Sequence, residues 1–311
     1  MRAVYFNDGE LELREIDGIC DEGTRVHVRS IGICGSDLHM LDIKYPIPCV
    51  AGHEIAGVLD DGTPVAVENC VPCNECAYCR VGDYNLCELS PATILGVGRN
   101  GGMADELRVP ERCLVYLPSN VDPRDACLAE PLAIAVHGMR EVGLSGGERV
   151  AVIGGGTVGL CAVAVAKASN ATVGLSARYD HQIAAGRALG AEEIDGQYDL
   201  VVECAGTDKA VNQAVKLCRP HGKLLMLGTH WGGVSFPQMA AQQKEMTIVT
   251  SSLFSASGPV RDFDVAVMLL SKNPTIARVL ITHRYPLAEV KQAFAVARDR
   301  KAGAIKVVLE P

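Results

Sequence analysis

The apolar positions fall into three successive textures along the chain. Residues 1–131 carry short apolar stretches broken by Gly, Asp and Pro, and Val4–Tyr5, Thr24–Ser30 and Val65–Val67 read as strands between turns. From residue 132 the stretches lengthen and alternate in kind. The pattern predicts strand Glu148–Ile153, an Ala-rich helix Thr157–Ser169, strand Ala171–Leu175 and helix His181–Leu189. Strand Tyr198–Cys204, helix Asp208–Cys218, strand Lys223–Gly228 and strand Thr247–Ser251 continue it. Strands alternating with helices predict an α/β chain built on a doubly wound parallel sheet. The third texture is a tail in which Pro259 opens a helix through Leu270, Pro286 opens another through Arg298, and Ala304–Glu310 forms a last strand. This tail is expected to rejoin the first part. Residues 1–131 and 254–311 would then form one β-rich domain around a dinucleotide-binding domain of residues 132–253.

Length and composition support two domains. A chain of 311 residues exceeds one average domain, and 48% hydrophobic content can fill two cores. Aromatic residues are only 5% of the chain, so Val, Ala, Leu and Ile do the filling, as parallel sheets covered by helices require. The net charge of −8 comes without a basic stripe, which argues against nucleic acid as a partner. The uncharged stretch Val150–Ala166 contains three consecutive glycines and falls short of a membrane span, so no membrane partner is expected. The N-terminus lacks the apolar run of a signal peptide. Thirteen cysteines, several in metal-ligand spacing, then suit a reducing compartment, the cytoplasm, rather than a disulfide framework.

Four of these cysteines carry the most specific signal. Cys73, Cys76, Cys79 and Cys87 follow a Cys-x2-Cys-x2-Cys-x7-Cys spacing on one short loop, which lets four thiolates converge on a tetrahedral zinc. With all four positions filled by protein, this site is closed and structural. Cys70 extends the series, as a spare thiol in the first reading and a substitute ligand in the second. A second metal site needs an open position. Cys34 offers a thiolate, His53 an imidazole and Glu54 a carboxylate beside it. The third protein ligand is expected from elsewhere in the fold, with Glu130 the first candidate and Cys127 the second. Glu54 and Glu130 need not bind together: one can hold the metal while the other exchanges with water.

Gly154-Gly155-Gly156-Thr157-Val158-Gly159 follows a predicted strand and opens a predicted helix. In that context Gly154 permits the tight turn, Gly156 lets the backbone approach a pyrophosphate at the helix N-terminus, and Gly159 allows close helix–strand contact. A carboxylate ending the second strand would bind the adenosine ribose, yet the sequence there is Leu175-Ser176-Ala177-Arg178-Tyr179. Nothing repels a 2′-phosphate. Ser176 can donate a hydrogen bond to it and Arg178 can pair with it, which favours NADP and leaves NAD as the second choice. Asp180 is the nearby carboxylate that could turn back to the ribose.

Together these segments resemble the zinc-dependent medium-chain dehydrogenase/reductase family, in the pattern of its polyol and sorbitol dehydrogenase branch. The resemblance covers Gly32-Ile-Cys34-Gly-Ser36-Asp37-Leu-His39, Gly52-His53-Glu54 and the cysteine loop. It continues through Gly101-Gly102-Met-Ala-Asp-Glu, Glu130-Pro131-Leu132, the glycine turn and the closing Ala304-Ile-Lys-Val-Val. It implies a GroES-like catalytic domain beside a Rossmann domain, and an active site in the cleft between them. It also implies two zinc ions per chain, one held by Cys34, His53 and Glu130 with Glu54 adjacent, and a homodimer or homotetramer. The implied activity is hydride transfer between an alcohol or polyol, or the matching carbonyl compound, and a nicotinamide. Ser36 would pass a proton outward and His39 would carry it to solvent. Asp37 would organise a metal ligand. A zinc-free quinone or enoyl reductase on the same fold and a non-catalytic nucleotide-sensing zinc protein are the competing readings; neither needs an open zinc site. The chain departs from the family by a short connection between Gly57 and Pro64, a nearly deleted strand–helix excursion between Ala191 and Tyr198, and the missing ribose carboxylate.

Overall fold

A computed structural model describes every residue except Cys20. The chain divides into two compact units, Met1–Glu130 with Ser255–Pro311, and Pro131–Phe254.

The first unit is built on a seven-stranded sheet. Its path runs Ile281–Pro286, Lys306–Glu310, Thr24–Gly32, Glu54–Val58, Pro64–Val67, Leu114–Tyr116, and Glu106–Val109 pairs with Thr24–Gly32 off that path. The C-terminal strand thus lies against Thr24–Gly32, antiparallel, with Val308 opposite Gly32. On its other side Gly32 faces Glu54. A separate hairpin, Arg2–Asn7 with Glu10–Glu15, turns at Asp8-Gly9, both at positive φ, as a tight two-residue hairpin turn demands. Val4, Phe6, Val26, Val28, Ile31, Ile55, Leu107, Phe294 and Leu309 bury together as one core, with Phe6 edge-on to Phe294.

The second unit is a six-stranded sheet in which every pair is parallel. In spatial order its strands are Glu192–Glu193, Thr172–Ser176, Arg149–Ile153, Tyr198–Glu203, Cys218–Met226 and Thr247–Thr250. Numbered by sequence within this sheet, the order is 3-2-1-4-5-6, the dinucleotide-binding arrangement, which reverses direction between the first and fourth strands. The third strand is two residues long, and no helix separates it from the fourth. That is the structural form of the deletion read from the sequence.

Helix Asp208–Leu217 shows how this unit is fastened. Three carbonyls near its C-terminus, of Val215, Lys216 and Cys218, accept from Lys244 Nζ at 2.7, 2.9 and 2.6 Å. A cation placed there satisfies carbonyls that the helix leaves unpaired and meets the negative end of its dipole. Lys244→Met should cost about 1.5–3 kcal/mol, as hydrogen bonds to charged groups do. Chemical denaturation checks this, and an unchanged midpoint would refute it.

The structure corrects the tail. Pro259 does not open a helix. Gly258 and Pro259 connect the two-residue strands Ala256–Ser257 and Val260–Arg261, and the helix runs Asp262–Lys272. Asp262 accounts for the delay: its N–H donates to Ser255 O at 2.9 Å while its carboxylate accepts from Ser255 N at 2.9 Å, closing the hairpin first. Pro286 precedes a short 3-10 turn, Leu287–Glu289, and then helix Val290–Arg298. Helices Gly35–Asp42 and Thr275–Leu280 and strand Ile281–Pro286 had no expectation from the pattern. Among the described residues no helix is long and apolar enough to cross a membrane.

Candidate functional site

Cys34 sits where strand Thr24–Gly32 gives way to helix Gly35–Asp42, at the N-cap of that helix. Asp37, wholly buried in its first turn, reaches back to accept from Cys34 N at 2.9 Å, which fixes the cysteine backbone. The other Asp37 oxygen lies 3.4 Å from His53 Nδ1, close enough for charge interaction although outside hydrogen-bond geometry. His53 Nε2 is 3.5 Å from Ser36 Oγ. One ring nitrogen therefore faces a carboxylate and the other faces Cys34 and Ser36, the arrangement that directs a histidine lone pair at a metal. Burial works against a charged imidazole here, but Asp37, Cys34 and Glu130 outweigh it and raise the group well above its ordinary range. Burial pushes the Asp37 carboxyl up, opposed by His53.

Glu54 opens the strand after His53. Its carboxylate is buried and accepts from Lys306 Nζ through both oxygens at 2.6 Å, while the same ammonium donates to Ile33 O at 2.8 Å. Gly32 makes this pair fit: a Cβ there would stand 1.8 Å from Glu54 Oε2. Cys34 Sγ, a His53 ring nitrogen and a Glu54 oxygen all lie within 4.8 Å of one another. A thiolate, an imidazole and a carboxylate at that spacing can hold a zinc ion. Glu130 stands outside the three-residue cluster. Its Oε1 accepts from Asn69 Nδ2 at 3.1 Å, and burial raises its carboxyl to about 7 against the opposing pull of His53. Cys127 is also outside, a wholly buried thiol pushed up to about 12 by that burial. His39 is half-buried on the same helix as Ser36.

The four-cysteine loop closes on itself. Cys76 caps the short helix Ala77–Val81, which carries Cys79 and stops at Gly82 with φ +98°. The 3-10 turn Tyr84–Leu86 then delivers Cys87. All four sulfurs fall within 4.8 Å of one another, with Cys73 and Cys79 at 3.7 Å. The N–H groups of Glu75 and Cys76 donate to Cys73 Sγ. Backbone N–H donors at Glu88 and Cys79 lower the Cys76 thiol to about 6, favouring the thiolate that zinc requires. Cys70 is not part of this group; its S–H donates to Asn69 Oδ1 at 3.3 Å. Below the loop, buried Glu68 accepts from Arg112 and Arg261 at 3.2 and 3.0 Å, and the Arg112 guanidinium lies over the Tyr84 ring.

In the second unit the glycine turn has the shape its sequence required. Gly154 takes φ +112°, with no room for a side chain against Ala205. A Cβ on Gly159 would stand 1.8 Å from Gly154 O, so helix Thr157–Ala168, opened by Thr157 and Val158, packs directly on the turn. Around Gly156 a Cβ would meet nothing within 4 Å. That open approach to a helix N-terminus can hold a pyrophosphate. At the end of the second strand of this sheet, Ser176 Oγ accepts from Gln213 Nε2 at 2.9 Å. Exposed Arg178 lies over the Tyr179 ring, which stacks on His181 with centroids 5.6 Å apart. Asp180 opens helix Asp180–Ala188. A cavity of about 320 Å³ lies beside Ser176, walled by apolar Leu175, Ile183 and Ile194 and by charged Arg187, Glu192 and Glu193.

Two family models match the chain: an alcohol dehydrogenase GroES-like domain over residues 21–119 and a glucose dehydrogenase C-terminus over residues 126–310. The chain is 32% identical to L-galactonate-5-dehydrogenase of Escherichia coli K12, over 90% of this chain and 89% of that protein. It is 30% identical to a sorbitol dehydrogenase of Halalkalibacterium halodurans, over 92% and 91%. The chain belongs to the zinc-dependent medium-chain dehydrogenase/reductase family. A solved zinc-binding dehydrogenase of Sinorhizobium meliloti 1021, bound to NADP, superposes with a TM-score of 0.88 at 27% identity, covering 100% of this chain and 99% of that one. This medium-chain dehydrogenase joins a GroES-like domain to a doubly wound Rossmann sheet.

Sequence reasoning missed three residues of this dehydrogenase. Lys306 stood inside a quoted motif without a role; its signal was a lysine in an otherwise apolar final strand. Asn69 and Gln213 carry no spacing signature, because a single amide can serve any neighbour.

Proposed function

We propose that this dehydrogenase transfers a hydride between a polyol-type alcohol, or the matching ketone or aldehyde, and NADP, with NAD the weaker cofactor. The observation that carries the reading is the convergence of Cys34, His53 and Glu54 beside buried Asp37. The names of the sorbitol and L-galactonate-5-dehydrogenases support a polyol or sugar-acid substrate.

Cys34 and His53 would hold the catalytic zinc together with one carboxylate, either Glu54 from the observed cluster or Glu130 turning in from outside it. Cys73, Cys76, Cys79 and Cys87 would hold the structural one. A bound zinc supplies a Lewis acid that lowers the proton affinity of an alcohol or polarises a carbonyl. Asp37 orients the His53 ring. Ser36 Oγ, beside His53 Nε2, receives the substrate proton, and His39 passes it to solvent. Lys306 holds Glu54 in place next to the ligands through both carboxylate oxygens. Gly154, Gly156, Thr157, Val158 and Gly159 receive the pyrophosphate, and the cavity beside Ser176 receives the adenine. Ser176 and Arg178 bind the 2′-phosphate.

Screening polyols, alcohols and their carbonyl counterparts with each cofactor, by absorbance of the reduced nicotinamide, tests the activity. Metal analysis of the same sample tests the zinc; turnover with metal only at the cysteine loop would overturn the mechanism. For the cofactor, Arg178→Ala should raise KM for NADP about tenfold or more, the loss of one charge-assisted phosphate contact, and leave NAD kinetics nearly unchanged. Equal losses with both cofactors would place Arg178 away from the 2′-phosphate.

Assembly as a homodimer or homotetramer is part of this reading. Strand Thr247–Thr250 is an edge of its sheet, with Ile248 42% exposed, and a second copy can pair there. A reducing compartment, the cytoplasm, suits the zinc thiolates.

A further inference from the structure

Asn69 is wholly buried two residues beyond strand Pro64–Val67, and its amide is fully committed. Nδ2 donates to Glu130 Oε1 at 3.1 Å and to His53 O at 3.3 Å. Oδ1 accepts from the Cys70 thiol at 3.3 Å. The orientation is forced. Turning the amide over would set its oxygen against the His53 carbonyl oxygen, two acceptors with no proton between them. The backbone of Asn69 is anchored as well, since its carbonyl accepts from Leu95 N at 2.9 Å.

We propose that Asn69 is the positioning residue of the catalytic metal site: it ties Glu130 through Oε1 to the His53 backbone, so that Oε2 is the oxygen Glu130 would offer to a metal. This rests on the zinc reading above. The chemistry is specific to an amide. Glu130 is buried, and a carboxylate needs a fixed direction to act as a ligand. A neutral donor supplies it, whereas an ammonium at the same point would compete with the metal for the carboxylate. One side chain holding two ligand residues also makes their separation a property of a rigid strand end. The Cys70 thiol has a role in the same scheme, holding the amide oxygen away from Glu130.

The test uses Asn69→Asp, which keeps the shape and removes the donor, with zinc titrated out of the purified protein by a chromophoric chelator. Wild type should release two zinc ions in two phases. In the variant the phase from Cys34, His53 and Glu130 should weaken about 10–100-fold. The cysteine-loop phase, measured in the same sample, should not move. A general loss of structure would weaken both phases, so the second site is an internal control. Should Asn69→Asp fail to fold, a double-mutant cycle of Asn69→Ala and Glu130→Ala decides. The proposal expects Asn69→Ala to cost little further zinc affinity once Glu130 is gone, and additive losses would overturn it. Undiminished affinity in Asn69→Asp would overturn it too. A wild type that releases only the cysteine-loop zinc identifies the zinc reading as the part at fault, and this inference falls with it.

Discussion

Cys34→Ser should lower kcat/KM by about a thousandfold or more while leaving the melting temperature close to that of the wild type. Serine preserves the size and the backbone bond to Asp37 but exchanges a soft thiolate for a hydroxyl that zinc binds poorly at neutral pH. Loss of a Lewis acid removes several kcal/mol of transition-state stabilisation, and about 4 kcal/mol corresponds to a thousandfold. Stability should hold because Cys34 is half-exposed at a helix start rather than part of either core. Cys76→Ser is the counterpart. It removes one of four sulfurs that close a loop with little apolar filling, so it should release the structural zinc and lower the melting temperature. Turnover per folded molecule at low temperature should survive. Melting curves and kinetics on the two variants, with zinc content, check the pair. Activity lost in Cys76→Ser and stability lost in Cys34→Ser would mean that the two metal roles are interchanged.

The contrast between those variants reflects what a sequence can disclose. The cysteine loop was legible because its ligands lie close together on one segment, so spacing alone is nearly geometry. Cys34 and His53 were legible as motif residues, and the strand–turn–helix glycines as a local shape. The alternation of strands and helices sufficed for the doubly wound sheet, and the family resemblance for the deletion before Tyr198. Lys306 was not legible. It meets Glu54 across 252 positions of sequence, through the two pairings Val308–Gly32 and Gly32–Glu54. Neither pairing follows from local pattern. Asn69 failed for a different reason: its role depends on which acceptors tertiary packing brings near, and an amide is compatible with many. At Pro259 a local rule misled. Proline suits the first turn of a helix and the turn of a hairpin equally, and the reciprocal bonds of Ser255 and Asp262 chose the hairpin.

Lys306→Met should be the most destabilising single change in the first unit. Lys306 is 2% exposed and Glu54 1%, and no water can replace the ammonium. The substitution leaves a buried carboxylate that has lost its partner to both oxygens, and it leaves Ile33 O without its donor. Breaking a buried pair by removing one member costs about 3–5 kcal/mol, or roughly 10 °C in a unit of this size. The carboxylate is held close against the backbone, since a Cβ on Gly32 would stand 1.8 Å from Glu54 Oε2. Adding Glu54→Gln to Lys306→Met should restore a large part of the loss, since the uncompensated charge disappears while the shape remains. Recovery in the double variant separates burial of charge from loss of packing. Melting of Lys306→Met alongside the wild type would mean that the carboxylate beside His53 is not held by the C-terminal strand.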